Sequence, residues 1–143
     1  MTSAPARLRQ AGCVAVQGRG ILIEGPPGSG KSSLALALID RGAMLIADDG
    51  VVLTERAGEL WVAPHPNTQG LLEVRNLGIL SYPSVAESRV CLLLRLDTEA
   101  PRFIDAAEHE TILGVEIPAL RLWPATPVLA LRAELALGQY GRQ

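Results

Sequence analysis

The sequence predicts an α/β fold: a mixed sheet with hairpins, packed around one apolar helix as a single domain. Three observations predict it. Residues 21–24, Ile-Leu-Ile-Glu, read as a strand that runs through a glycine-rich loop into a Leu- and Ala-rich helix over 33–41. Residues 89–96 form an almost purely apolar run of the length expected for a buried strand. Between the two, the apolar triplets at 51–53 and 60–62 flank Glu55-Arg56-Ala57-Gly58, which is hairpin-turn chemistry. This is more hairpin character than a doubly wound sheet carries.

The elements follow in order. Residues 1–10 hold Arg7 and Arg9 without an apolar core and read as a flexible lead-in rather than a signal peptide. Residues 13–16 form a short strand, and Gln17-Gly18-Arg19-Gly20 turns into the strand at 21–24. The helix over 33–41 ends with Arg41 and is capped by Gly42. It is apolar on nearly every side, so a sheet and a second body should cover it. Residues 43–47 are the next strand, the 51–62 hairpin follows, and Pro64 and Pro66 break the chain after it. Residues 70–80 mix Glu73 and Arg75 into apolar surroundings, with both charges on one strand face. Residues 99–110 read as loop or short helix, 115–122 as a final strand, and 125–140 as an amphipathic helix opened by Pro127.

Bulk properties narrow the function. The 143 residues suffice for one core, and 48% hydrophobic against 20% charged residues marks a folding chain. A net charge of −2 with no basic run argues against nucleic-acid binding, and 3% aromatics leaves little for base stacking. No apolar stretch has the length of a membrane span. Cys13 and Cys91 are too few and too far apart for a disulfide framework or a metal site, so they read as buried thiols of a cytoplasmic protein.

The specific signal is the loop Gly25-Pro26-Pro27-Gly28-Ser29-Gly30-Lys31-Ser32, which satisfies G-x-x-x-x-G-K-[ST] between a strand and a helix. Its glycines let backbone N–H groups converge on phosphate, and the helix N-terminus adds its positive end. Lys31 is placed to reach the β- and γ-phosphates of ATP, and Ser32 to ligate Mg²⁺. The fold is therefore expected to be P-loop kinase-like. Asp48 and Asp49 end the strand after the helix, at the sheet edge where the loop opens. One can hold the metal's water shell while the other accepts a hydroxyl proton. The same pair also reads as a solvated Asp-Asp-Gly turn, and the neighbouring loop tilts the choice toward chemistry. Asp97, at the end of the 89–96 strand, is the rival carboxylate and ranks second. Glu73 and Arg75 taken alone are charges on an edge strand, and His65 and His109 are isolated loop residues.

Four blocks carry a resemblance. They are Gly25–Ser32; Arg41-Gly42 through Ala47-Asp48-Asp49; Gly70-Leu71-Leu72-Glu73-Val74-Arg75; and Ile112-Leu113-Gly114-Val115-Glu116-Ile117-Pro118. From Cys13 to about Pro118 the chain resembles the catalytic domain of the bacterial HPr kinase/phosphorylase family, in the style of short forms lacking that family's N-terminal domain. The resemblance implies an ATP- and Mg²⁺-dependent kinase acting on a serine of an HPr-like phosphocarrier protein, and a homo-oligomer, a hexamer. It implies Lys31 as phosphate contact and Ser32 and Glu73 as metal ligands. It further implies Asp49, with Asp48 beside it, as the base toward the acceptor serine, and Arg102 as a catalytic arginine. In the reverse reaction the aspartate would protonate the departing serine oxygen as inorganic phosphate attacks.

The departures bear on that reverse reaction. The family carries a histidine before the first strand where this chain has Gln10. Arg75 is followed by Asn76 instead of glycine, and a basic stretch of the family is replaced by Trp123-Pro124-Ala125-Thr126-Pro127. ATP binding survives these changes, and phosphorolysis is weakened. Two other readings stand beside the serine kinase. One is a small-molecule P-loop kinase, although no lid with clustered arginines is evident. The other is an ATP-sensing regulator with impaired catalysis, for which Gln10 speaks.

Overall fold

The computed structural model describes residues 5–143, which form eleven strands, two α-helices and one 3-10 turn. In chain order the strands are β1 (Arg7–Arg9), β2 (Gly12–Val16), β3 (Arg19–Glu24), β4 (Met44–Ala47), β5 (Val51–Arg56) and β6 (Glu59–Pro64). They continue as β7 (Leu71–Val74), β8 (Gly78–Ser81), β9 (Ser88–Leu96), β10 (Glu108–Ile112) and β11 (Val115–Leu122). Helix α1 spans Lys31–Asp40 and α2 spans Leu129–Tyr140.

Nine strands make one mixed sheet in the order β1-β5-β6-β9-β3-β2-β4, with β11 also on β9 and β10 on β11. Strand β9 is the hub. It runs parallel to β3 along one edge; along the other, Ser88 and Arg89 pair with β6 while Leu93 to Leu96 pair with β11. Its centrality explains its composition, because a strand covered on both faces can be apolar at every position. Side chains from alternate positions fill two cores. Val14, Ile21, Ile23, Leu92 and Leu94 face α1 and α2, whereas Cys13, Leu22, Val90 and Leu93 face the side of β5, β6, β10 and β11. The alternation breaks at Cys91, where the β3–β9 register shifts, and a bulge keeps both ends of β9 correctly faced. Gly20 sits at that shift, where a Cβ would stand 2.5 Å from the Arg89 carbonyl oxygen.

Several expectations are corrected. The lead-in is not flexible over Arg7–Arg9, which pairs antiparallel with Leu53 to Val51; residues 1–4 lie outside the described residues. What holds β1 is charge, since Arg9 pairs with Glu24 and Glu110. The 99–110 stretch ends as strand β10, paired with β11, rather than as loop or helix. The last helix begins at Leu129, because Pro124 to Val128 turn first, with Thr126 Oγ1 accepting the Val128 N–H at 3.3 Å. The hairpin is longer than its apolar triplets and turns at Ala57-Gly58, both at positive φ as a two-residue turn requires. Strands β7 and β8 form a separate two-stranded sheet, and β7 and α2 provide the second body over α1. Cys13 and Cys91 are both buried and unbridged, and burial pushes the Cys13 thiol far up.

Candidate active site

Strand polarity brings the site together. Strand β4 is antiparallel to β2, which is antiparallel to β3, so β3, β4 and β9 all end on one edge of the sheet. Gly25, Asp48 and Asp97 follow those three ends directly. The same edge receives Gln10 ahead of β2, while Gly50 and His65, around the Val51–Pro64 pair, come next to the Asp pair through the short link from β4 to β5. Residues far apart in the chain thus share one edge because each sits one step beyond a strand.

A cleft of about 350 Å³ lies there, lined by the loop from Gly25 and Pro27 to Ser33 together with Gln10, Asp48, Asp49, Glu73 and Arg75. Gly28 and Gly30 take φ of 78° and 101°, and nothing lies within 4 Å of where their Cβ atoms would be. Gly25 needs to be glycine for a different reason, as a Cβ there would come within 2.5 Å of Ser29 Oγ. That hydroxyl is buried without a hydrogen-bond partner among the described residues. Helix α1 starts at this loop with no side-chain cap and no acidic residue in its first turn, so its first N–H groups are open to the cleft. Lys31 Nζ donates to the Gly25 carbonyl at 2.8 Å and meets no carboxylate among the described residues. These features fit a phosphate group, which supplies the acceptors and negative charge that the loop lacks.

The carboxylates divide cleanly. Ser32 Oγ donates to Asp48 Oδ1 at 2.7 Å, and the Glu73 backbone N–H donates to Asp48 Oδ2 at 2.9 Å. Asp48 therefore ties the loop to the β7–β8 hairpin. Asp49 holds φ of 61°, a conformation that costs energy for a non-glycine residue, and its carboxylate makes no hydrogen bond among the described residues. A hydroxyl and a carboxylate in contact, with Glu73 on the same wall, fit Mg²⁺, which takes few protein ligands and completes its shell with phosphate and water oxygens. Among the described residues no three His, Cys, Asp or Glu side chains form a protein-only metal cage. Asp97 is not in this cleft. It accepts from the Glu99 N–H at 2.8 Å, lies 3.7 Å from Arg121, and borders a cavity on the other flank of the loop. Arg102 is exposed on the loop after β9 and does not line the cleft.

Beneath the site, Arg9 and Arg95 interlock with Glu24 and Glu110. Arg9 Nη1 donates to Glu110 at 2.6 Å and its Nη2 to Glu24 at 3.1 Å, while Arg95 contacts both carboxylates. Glu24 pushes the Arg9 guanidinium further above its already high range, and Arg9 holds the Glu110 carboxyl below the usual value of 4.5. This lattice fixes Gln10 and Gly25 relative to each other through the residues preceding them. Arg75 and His65 were not singled out for the site from sequence. Arg75 shares a face with Glu73, a signal that was present, whereas only the closing of the β5–β6 hairpin brings His65 beside Asp49.

Residues 2–128 match the model of the HPr serine kinase C-terminal domain. An HPr kinase/phosphorylase of Clostridium tetani is 51% identical over 72 residues, half of this chain and 24% of that protein. One from an Exiguobacterium species is 32% identical across the whole of this chain and half of its own length. The chain thus spans at most about half the length of these curated relatives. A solved structure of an Hpr(Ser) kinase/phosphatase from Coxiella burnetii superposes with a TM-score of 0.83 at 26% identity, covering 92% of this chain and 94% of that one. A loop that opens the N-terminus of α1 to the cleft, an Asp-Asp pair at its mouth and a family model matched over most of the sequence lead to one conclusion: this chain belongs to the HPr serine kinase C-terminal domain family.

Proposed function

We propose that the chain is an ATP-dependent, Mg²⁺-requiring serine kinase whose acceptor is an HPr-type phosphocarrier protein. The observation that carries the reading is the Ser32–Asp48 hydrogen bond of 2.7 Å at the mouth of the loop, with the Asp49 carboxylate beside it unengaged. Two adjacent acids in different environments can take different roles. Asp48 and Ser32, with Glu73, hold the metal; Asp49 takes the proton of the acceptor hydroxyl. Mg²⁺ held there by Asp48, Ser32 and Glu73 would supply positive charge against the phosphate oxygens. Lys31 exchanges its loop carbonyls for phosphate oxygens, Gly28 to Ser32 cradle the phosphates, and Gly25, Pro26 and Pro27 set the approach of the loop. The catalytic role that the family resemblance implies for Arg102 has no support from the cleft, since Arg102 is exposed on the loop after β9. The names of the relatives, HPr kinase/phosphorylase and Hpr(Ser) kinase/phosphatase, support this chemistry.

The reading extends to a cytoplasmic homo-oligomer, a hexamer, acting on a protein partner with neither nucleic acid nor membrane involved. Phosphorolysis is weak, because Gln10 contributes an amide to the cleft but no charge. The test is incubation with ATP, Mg²⁺ and the organism's own HPr homologue, followed by intact-protein mass spectrometry. We expect the acceptor to gain one phosphoryl group, with the modification on a serine. An unmodified acceptor overturns the proposal.

A further inference from the structure

A second cavity of about 420 Å³ shares Gln10, Asp48 and Asp49 with the phosphate cleft. Its remaining walls are Leu8, Arg9, Gly50, Val51, His65 and Thr68, and no residue of the 25–32 loop lines it. It is therefore a way to reach Asp49 without passing the phosphate loop. In phosphoryl transfer the attacking and leaving oxygens lie roughly in line, so the acceptor has to come from the side opposite the nucleotide phosphates.

The donors in this recess can be sorted. Arg9 is taken up by Glu24 and Glu110. Thr68 Oγ1 donates to the His65 carbonyl oxygen at 3.3 Å. His65 is held in extended backbone, φ −62° and ψ 136°, between Pro64 and Pro66, and its Nδ1 accepts the Asn67 N–H at 3.3 Å. A ring whose Nδ1 accepts carries its proton on Nε2. That N–H and the Gln10 amide are the side-chain donors of the recess that make no hydrogen bond among the described residues.

We infer that His65 is the acceptor-side contact of this site, donating its Nε2–H to an oxygen of the serine that Asp49 deprotonates and, after transfer, to the phosphoserine oxygens. The inference rests on the serine-kinase reading above. It gives the recess a substrate class, a serine or phosphoserine on an extended surface segment narrow enough to enter beside Leu8.

The chain has two histidines, so nuclear magnetic resonance can follow both imidazoles directly, with His109 on β10 as internal control. We expect addition of O-phosphoserine with Mg²⁺ to move the His65 Cε1–H resonance and leave that of His109 in place. In steady-state assays His65→Ala should raise the KM for the carrier protein by about threefold to tenfold, the worth of one hydrogen bond to a neutral hydroxyl. The KM for ATP should stay unchanged, and His65→Gln, whose amide still donates, should recover part of the loss. A His65 resonance indifferent to phosphoserine, or an acceptor KM unaffected by His65→Ala, overturns the inference while leaving the kinase standing. If no carrier protein is phosphorylated, the kinase reading falls, and the resonance titration alone decides whether the recess takes phosphoserine.

Discussion

At the residue scale, Lys31 and the Asp pair give the sharpest tests. Lys31 rests on the Gly25 carbonyl at 2.8 Å, a neutral contact that is readily exchanged for a charged one. Lys31→Ala should weaken ATP binding by about 1.5–3 kcal/mol, the usual worth of a charge-assisted contact, read by calorimetry. Asp49→Asn should lower turnover by about 10²–10⁴ with ATP affinity nearly intact, as for a positioned acid or base. Asp48→Asn and Glu73→Gln should instead raise the Mg²⁺ concentration needed for half-maximal rate. Asp97→Asn should do little, because its partners are Glu99 and Arg121, and a larger loss there than at Asp49 would reverse this assignment. Gln10→His tests direction. Phosphorolysis places inorganic phosphate and a phosphoserine in one cleft, two anions that need additional positive charge. The variant should gain pyrophosphate release from phosphorylated carrier, and efficient release by the unmodified chain would show that another cation already fills the need. The loop and the Asp pair could be read in the sequence because their signals are contiguous. The placement of Arg75 and His65 on either side of the Asp pair could not, because separate strand ends deliver them.

At the element scale, the same contrast between local and assembled information explains which strands were legible. Strand β9 and the β5–β6 hairpin announce themselves by apolar runs and an Ala57-Gly58 turn. Strands β1 and β10, Arg-Leu-Arg and Glu-His-Glu-Thr-Ile, carry no such pattern, since edge strands are largely exposed. What binds both is the Arg9–Glu24–Arg95–Glu110 lattice, and its pH dependence can be worked out. Arg9 stays charged throughout the accessible range. Glu110 is depressed in the folded state, chiefly by its hydrogen bond to Arg9. Its stabilisation is therefore complete above the ordinary carboxylate value of 4.5 and is lost as the pH falls through the lower folded value. Glu110→Gln should be less stable than the unmodified chain at neutral pH, and the difference should shrink below pH 4.5. Denaturant midpoints measured across pH check this; a difference that grows toward acid would contradict it.

At the scale of the whole molecule, the unsolved surface is apolar. The second body that covers α1 belongs to the same chain, since Leu34, Ala35 and Leu38 are buried beneath β7 and α2. The exposed apolar groups lie elsewhere. Val128 at the N-cap of α2 is followed at helical spacing by Leu131 and Leu135, with Leu135 64% exposed, and Leu77 and Ile79 stand out from the β7–β8 hairpin at 71% and 69%. Exposed apolar groups that lie close together are candidates for a contact surface. The hexamer implied by the family resemblance would cover them, and copies of one chain in closed symmetry use the same patches repeatedly. Light scattering of the unmodified protein should give a mass several times that of one chain. Leu135→Glu and Ile79→Glu place a charge on exposed positions that the fold of one chain does not need. Each should therefore lower the assembled mass while leaving the circular dichroism spectrum and ATP affinity as they were. A monomer mass for the unmodified protein at working concentration would refute the assembly. Variants that remain assembled would show that neither α2 nor the hairpin forms the contact.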